Sequence, residues 1–158
     1  MKLNQKGIEL MHKFEGLRLT SYECPASLNL PKEKKFYTIG YGNTFYEDGS
    51  KVQPNQHISE KRANQLFSNV AERNFAEPIR KLLKVELNEN QFSALVSFAY
   101  NVGMANLGKS TLLKKVNKNP NDLTIRAEIL KWNKASGKVL RGLTARREAE
   151  ANLYYEKN

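Results

Sequence analysis

Two short stretches of the chain carry residue types able to act on a polar bond. The first ends at Glu15. Asn4 is a good helix N-cap, Ile8, Leu10, Met11 and Phe14 supply an apolar stripe, and Gly16 suits the position just past a helix end, where positive φ costs it nothing. At about 100° per residue, Glu15 projects on the side of Ile8 and Met11, which puts a carboxyl at the end of an apolar face. Burial there favours the protonated form, the state a general acid needs near neutral pH. The alternative is a last-turn glutamate facing water, which the helix dipole mildly opposes. The second stretch is Thr38-Ile39-Gly40-Tyr41-Gly42. Glycines alternating in a strand cost stability and mark either a close approach to the backbone or a bulge. Period-two alternation sets Thr38 on the face of both glycines, where its hydroxyl could hold a water; a β-branched residue simply filling a strand position is the alternative.

The elements that must position these groups fall into three stretches. After the N-terminal helix, strand-like runs at Leu17–Tyr22 and Phe36–Tyr41 are broken by prolines and glycines, and Asp48-Gly49 between Tyr46 and Val52 signals a hairpin. A polar, lysine-rich insertion, Ser27–Lys35, interrupts this small antiparallel sheet. From Ser59 onward the pattern is helical. Ala63, Leu66, Phe67, Val70 and Ala71 keep a helical period with Ser59 as cap, and Pro78 should kink or break that helix. Phe92 to Tyr100 form a strongly apolar helix ending near Gly103, followed by amphipathic helices over about 109–116, 122–132 and 144–155. The expected fold class is α+β and mostly helical: a sheet lobe over about 15–58, a connecting helix over about 59–80, and a helical lobe of 1–14 with 81–158. A cleft between lobes is the expected ligand site.

Composition narrows the function classes. The chain has 158 residues, enough for one domain with a real core, and its 40% hydrophobic and 27% charged residues exclude disorder. Twenty-six basic residues against 16 acidic give a net charge of +10, so the surface should seek polyanions such as nucleic acid, anionic lipid or an acidic bacterial wall. One cysteine, Cys24, and two unrelated histidines, His12 and His57, offer no disulfide framework and no metal-ligand spacing; no cofactor is expected. No run of about 18 apolar residues could span a membrane, and the first residues lack the apolar stretch of a secretory signal, so synthesis and initial residence in the cytoplasm are expected.

Glu15-Gly16-Leu17-Arg18-Leu19, Tyr22 and Thr38-Ile39-Gly40-Tyr41-Gly42-Asn43-Thr44 together resemble the active-site segment of the phage-type lysozymes, glycoside hydrolase family 24. Asn90 through Gly103, Ser110-Thr111-Leu112-Leu113 and Gly142 through Glu148 resemble the family's later helices, so the resemblance covers nearly the whole chain. It implies a lysozyme-like two-lobed fold and a muramidase cleaving the β-1,4 bond between N-acetylmuramic acid and N-acetylglucosamine in peptidoglycan. It implies Glu15 as general acid and Thr38 as the residue that positions water. The family's aspartate, nine residues after the glutamate, falls on Cys24, a departure; Cys24-Pro25-Ala26 resembles a subset of the family. A thiolate there, favoured by Arg18 on its own strand face, could activate water or stabilise an oxocarbenium-like transition state. As a nucleophile it would give a retained product, whereas the family implies inversion. A small buried hydrophobe is the ordinary role of a free cysteine. Glu23 could supply a carboxylate instead, but alternation points it to the other side.

The resemblance also implies that the ion pair of the family's histidine is missing or replaced at Asn43, and that an arginine near the start of the last helix approaches Glu15. Arg146 is the choice, with Arg141 and Arg147 as alternatives; such a partner would lower the pKa of Glu15, against desolvation. Tyr41, Tyr100, Thr111 and Arg126 fall at sugar-contact positions, with core packing or solvated surface as the alternative at each. Trp132 reads as core. The implied partners are peptidoglycan glycan strands and the anionic envelope, met by a monomeric phage or prophage endolysin after holin-type release. Rival classes are a basic nucleic-acid-binding helical domain, which leaves Glu15 and the glycines unexplained, a glycan-binding relative impaired by Cys24, and a lytic transglycosylase, against which Thr38 as water-holder speaks.

Overall fold

The side chain of Asn4 accepts a hydrogen bond from the Gly7 amide (3.0 Å), so helix α1 (Gln5–Glu15) begins where a cap satisfies an otherwise free N–H. The computed structural model describes residues 1–157. Strand β1 (Arg18–Glu23) pairs antiparallel with β2 (Tyr37–Gly40), with a register irregularity between Arg18 and Tyr22. Two 3-10 turns, Pro25–Ser27 and Lys32–Lys34, fill the insertion between them. Single bridges at Thr20–His57 and Phe45–Lys51 extend the sheet region. The Asp48-Gly49 signal therefore yields a turn closed by one bridge; Gly49 takes φ +83°, and no strands flank it.

Helices follow: α2 (Glu60–Ala71), a π-helical turn (Glu72–Ala76), α3 (Glu77–Leu82), α4 (Glu89–Val102), α5 (Met104–Gly108), α6 (Thr111–Lys118), α7 (Ile125–Leu130) and α8 (Arg141–Tyr155), with a short hairpin of β3 (Lys134–Ala135) and β4 (Lys138–Val139) before α8. Ser59, Asn88 and Ser110 cap α2, α4 and α6 with their side chains. The irregularity expected at Pro78 is taken up by the π turn just before it, which admits a residue without an N–H and lets the helical path continue into α3. The β3–β4 hairpin was not expected. Its turn residues Ser136 and Gly137 both have positive φ (50° and 76°), a pairing that Ser-Gly permits in a tight two-residue turn.

The chain divides into two compact units. One, His12–Glu72, holds the sheet region and α2; its core is Ile39, Val52 and Leu66, with Tyr37, Tyr46, Ile58 and Val70 packed against them. Because Leu66 of α2 joins that core, α2 belongs with the sheet and does not stand apart as a connector. The other unit comprises Met1–Met11 and the residues from Arg73 onward. Its centre is α4, buried from Asn90 to Ala99. Against it packs α8, where Glu150, fully buried, meets Arg147 Nε at 2.7 Å and Arg146 Nε at 3.2 Å, and accepts a hydrogen bond from Ser97 Oγ (2.7 Å). Burying three charges is tolerable because each faces an opposite charge or a polar partner. Gly7 lets α1 press on α4: a Cβ there would lie 2.5 Å from Ser93 Cβ.

Within the sheet unit, Arg62 donates two hydrogen bonds to Glu47 (2.7 and 2.6 Å) and holds its carboxyl down at about 2. A depressed folded pKa means the pair contributes stability above the unfolded value near 4.5 and loses it as pH falls towards 2. For this partly solvated pair the contribution is about 1 kcal/mol, or roughly 2–4 °C in melting temperature. Melting curves of wild type and Glu47→Gln should differ by that amount at pH 6 and converge near pH 2; a pH-independent gap would refute the linkage.

Candidate active site

Glu15 is the last residue of α1, and Gly16 after it turns left-handed (φ +69°) with its amide bonded to the His12 carbonyl (2.9 Å). The helix therefore stops with the Glu15 side chain only partly exposed. Its carboxyl lies against the backbone of Gly42: a Cβ on residue 42 would sit 2.6 Å from Glu15 Oε2. This is the close approach that a pair of nearby glycines can signal. The strand, however, ends at Gly40. Ile39 and Asn43 exchange both backbone hydrogen bonds (2.9 and 3.0 Å), and Gly40-Tyr41-Gly42 forms the three-residue turn between them, with φ of +66° and +76° at the glycines. Gly42 is thus a turn residue, and the shared strand face expected for Thr38 and both glycines does not exist. A Cβ on Gly40 would meet Asn43 Oδ1 at 3.3 Å, so this glycine serves the turn itself.

The register explains what the sheet brings together. Tyr22 faces Thr38 and Glu23 faces Tyr37, and the Cys24 amide continues the ladder with a hydrogen bond to the Phe36 carbonyl (2.9 Å). Side chains alternate along each strand, so Thr38 and Cys24 project from one face, Glu23 and Tyr37 from the other. Glu23 forms an ion pair there with Lys35 (2.7 Å), on the face opposite Thr38 and Cys24. Cys24 is a partly buried free thiol whose carbonyl anchors the following 3-10 turn through Ser27. The Arg18 guanidinium lies 4.4 Å over the Tyr22 ring. Thr38 is buried.

Tyr41 and His12 form a feature the sequence reading missed. The two rings stack in parallel, 3.7 Å apart, and the Phe67 ring meets the His12 edge at 4.4 Å. His12 lies one helical turn before Glu15, and that spacing was its one available signal. Burial lowers its pKa, and its Nε2 is enclosed with no hydrogen-bond partner among the described residues. A neutral imidazole thus ties the end of α1 to the turn that receives the Glu15 carboxyl. Tyr41 is 7% exposed, so its ring face is occupied by His12, and a sugar contact at this residue is left to its edge or hydroxyl.

The remaining expected residues lie in the helical unit. Arg146 donates to the Ser97 carbonyl and to Glu150. Arg147 is wholly buried over the Phe98 ring, and Arg141 is exposed at the start of α8. Tyr100 is half-buried, 5.0 Å from the Phe75 ring; Thr111 is exposed as the first residue of α6; Arg126 bonds Asn152 (2.8 Å) beside Tyr155. Among the described residues there is no cluster of metal-ligating side chains and no helix long and apolar enough to cross a membrane.

A carboxyl held against bare backbone is positioned to exchange a proton with a bound group, and a hydroxyl and a thiol share one strand face. Residues 12–150 match the family model described as phage lysozyme. The endolysin of Bacillus phage B103 is 46% identical over 154 residues, which cover 98% of this chain and 54% of that protein; the chain spans about half the length of the Bacillus phage relatives it matches. Among solved structures, the endolysin from Escherichia coli O157:H7 phage FAHEc1 superposes with a TM-score of 0.85 at 32% identity, covering 99% of this chain and 94% of its own. The muramidase domain of SpmX from Asticaccaulis excentricus does so with 0.81 at 27%, covering 99% of each. With its sequence and its fold in agreement, the chain belongs to the phage lysozyme family.

Proposed function

We propose that this chain is a muramidase that hydrolyses the β-1,4 bond between N-acetylmuramic acid and N-acetylglucosamine in bacterial peptidoglycan, in the service of host-cell lysis. The observation that carries this reading is the Glu15 carboxyl lodged against Gly42. Protonated Glu15 gives its proton to the glycosidic oxygen as the bond to the anomeric carbon breaks. A water held by the Thr38 hydroxyl adds to that carbon from the opposite face and passes its proton to the Cys24 thiolate, which inverts the configuration. The proton then returns to Glu15 through solvent. Tyr41, Tyr100, Thr111 and Arg126 are proposed sugar contacts, and Arg146 a proposed supporting residue. The charge of +10 draws the enzyme to its anionic envelope, which a cytoplasmically made copy reaches through holin-type lesions.

A second reading is favoured by one observation, the thiol where the resemblance expects an aspartate: a glycan-binding relative with little turnover. The Cys24 series decides between them. Cys24→Ser should lower the release of reducing termini from sacculi by roughly tenfold or more, and Cys24→Asp should restore it. Full activity in Cys24→Ser would remove the thiol from the mechanism; no activity in wild type would favour the binding protein.

Turnover should also track the space around Glu15. Glu15→Gln should cost at least about 100-fold in reducing termini. Gly42→Ala pushes a methyl into the carboxyl and should cost a comparable ~100-fold, since displacing an acid by about 1 Å is enough. Gly49→Ala is the control: φ is +83° there too, but nothing lies within 4 Å, so it should lose about 1–2 kcal/mol of stability and keep its turnover. Equal turnover in the two alanine variants would contradict the proposed placement of the acid.

A further inference from the structure

We propose that a second concavity in the sheet unit, walled by aromatic residues and rimmed by lysines, binds phosphodiester groups of the cell envelope. The envelope as the source of the ligand rests on the muramidase reading above; the anion chemistry of the pocket does not. The cavity encloses about 530 Å³, a volume ordinary for a ligand site. Tyr37 and Val52, which belong to the unit's core, line it, and Phe36 and Phe45 form walls although they are 36% and 49% exposed. Apolar rings left open to water around a cavity are a mark of binding. Glu15, Thr38 and Cys24 are not among the residues that line this pocket, so it is distinct from the proposed reaction site.

Charge gives the class of ligand. Lys32, Lys34, Lys35 and Lys51 line the pocket with a single acid, Glu33. Lys35 is engaged by Glu23, whereas Lys32, Lys34 and Lys51 have no carboxylate partner among the described residues. Three free cations against one anion leave an excess that one carboxylate would not neutralise and that successive phosphodiesters would. Two of the three lysines are preset. Pro31 leads into the 3-10 turn Lys32–Lys34, closed by hydrogen bonds from the Lys34 amide to the Pro31 carbonyl (2.8 Å) and from the Lys35 amide to the Lys32 carbonyl (3.3 Å). A preset loop loses less entropy on binding. Lysine suits the task, since its compact ammonium meets a phosphate oxygen as a point charge, while the polyol carbons between phosphates can lie on Phe36 and Phe45.

Two envelope sources share this chemistry, a soluble polyol-phosphate chain and a phospholipid headgroup. The test uses the 158-residue chain carrying Glu15→Gln, so that binding is read without cleavage, against a glycerol-phosphate oligomer and against vesicles of phosphatidylglycerol in phosphatidylcholine. The parent should bind at least one of the two. Combining Lys32→Ala, Lys34→Ala and Lys51→Ala should weaken that binding about tenfold. The charge-matched set Lys81→Ala, Lys84→Ala and Lys114→Ala should leave it within about twofold, and Phe45→Ser, which changes no charge, should weaken it several-fold, with melting curves confirming that each variant is folded. Binding of the oligomer alone assigns the site to a polyol phosphate, binding of vesicles alone to a headgroup, and either supports the proposal. Equal losses in both lysine sets with a silent Phe45→Ser would mean diffuse attraction and overturn it, as would binding of neither probe. Release of reducing termini from phosphate-stripped glycan should be the same in wild type and the pocket-lysine variant, so failure of the pocket and failure of the muramidase reading are told apart.

Discussion

At the end of α1 a carboxylate oxygen occupies the space that a side chain on residue 42 would fill, 2.6 Å from where its Cβ would be. Two conditions make that arrangement available. The helix has to end at Glu15, which Gly16 achieves by turning left-handed. The strand has to end at Gly40 and reverse within three residues, which needs positive φ at both Gly40 and Gly42. Either glycine replaced by an L-residue would strain the turn, and at Gly42 it would also evict the acid. The reaction proposed for this chain depends on that empty volume more directly than on any single hydrogen bond.

The rest of the sheet unit holds the two partners of this contact in place. The Tyr41 ring, at the tip of the turn, lies flat on His12, and His12 is on the helix that ends in Glu15. The two rings stack 3.7 Å apart, and burial lowers the His12 pKa, which favours the neutral imidazole. Ile39, next to the turn, is anchored in the core with Val52 and Leu66. In the helical unit, rigidity comes from a buried polar network instead, with Glu150 shared by Arg146, Arg147 and Ser97, which fixes α8 against α4. Tyr37 and Thr38, adjacent on β2, point to opposite faces, and the aromatic and lysine-lined cavity includes Tyr37 but not Thr38.

Much of this was legible in the residue order because its causes are local. Capping by Asn4 and Ser59, the apolar run of α4, and the left-handed stop at Gly16 each depend on neighbours within a turn or two. The spacing of Glu15 on an apolar stripe and the nearness of two glycines to Thr38 were likewise readable. Long-range pairing was not. The strand was drawn one residue too far, because a period-two pattern cannot show where a ladder stops and a turn of three begins. The β3–β4 hairpin was missed because strands of two residues carry too little pattern to register. For Glu23 the sequence offers alternation alone, and its ion pair with Lys35 spans 12 positions.

Residue order by itself therefore determined most of the helices and several of their caps, and it is the source of the proposal that Glu15, Thr38 and Cys24 carry the chemistry. Only the tertiary structure decided what lies against them: Gly42 beside the Glu15 carboxyl, Cys24 on the face of Thr38, and His12 under Tyr41. The physical reason is one of range. Helix periodicity and caps are set by hydrogen bonds within about four residues, whereas the space left by an absent Cβ is defined by whatever distant segment the fold packs into it.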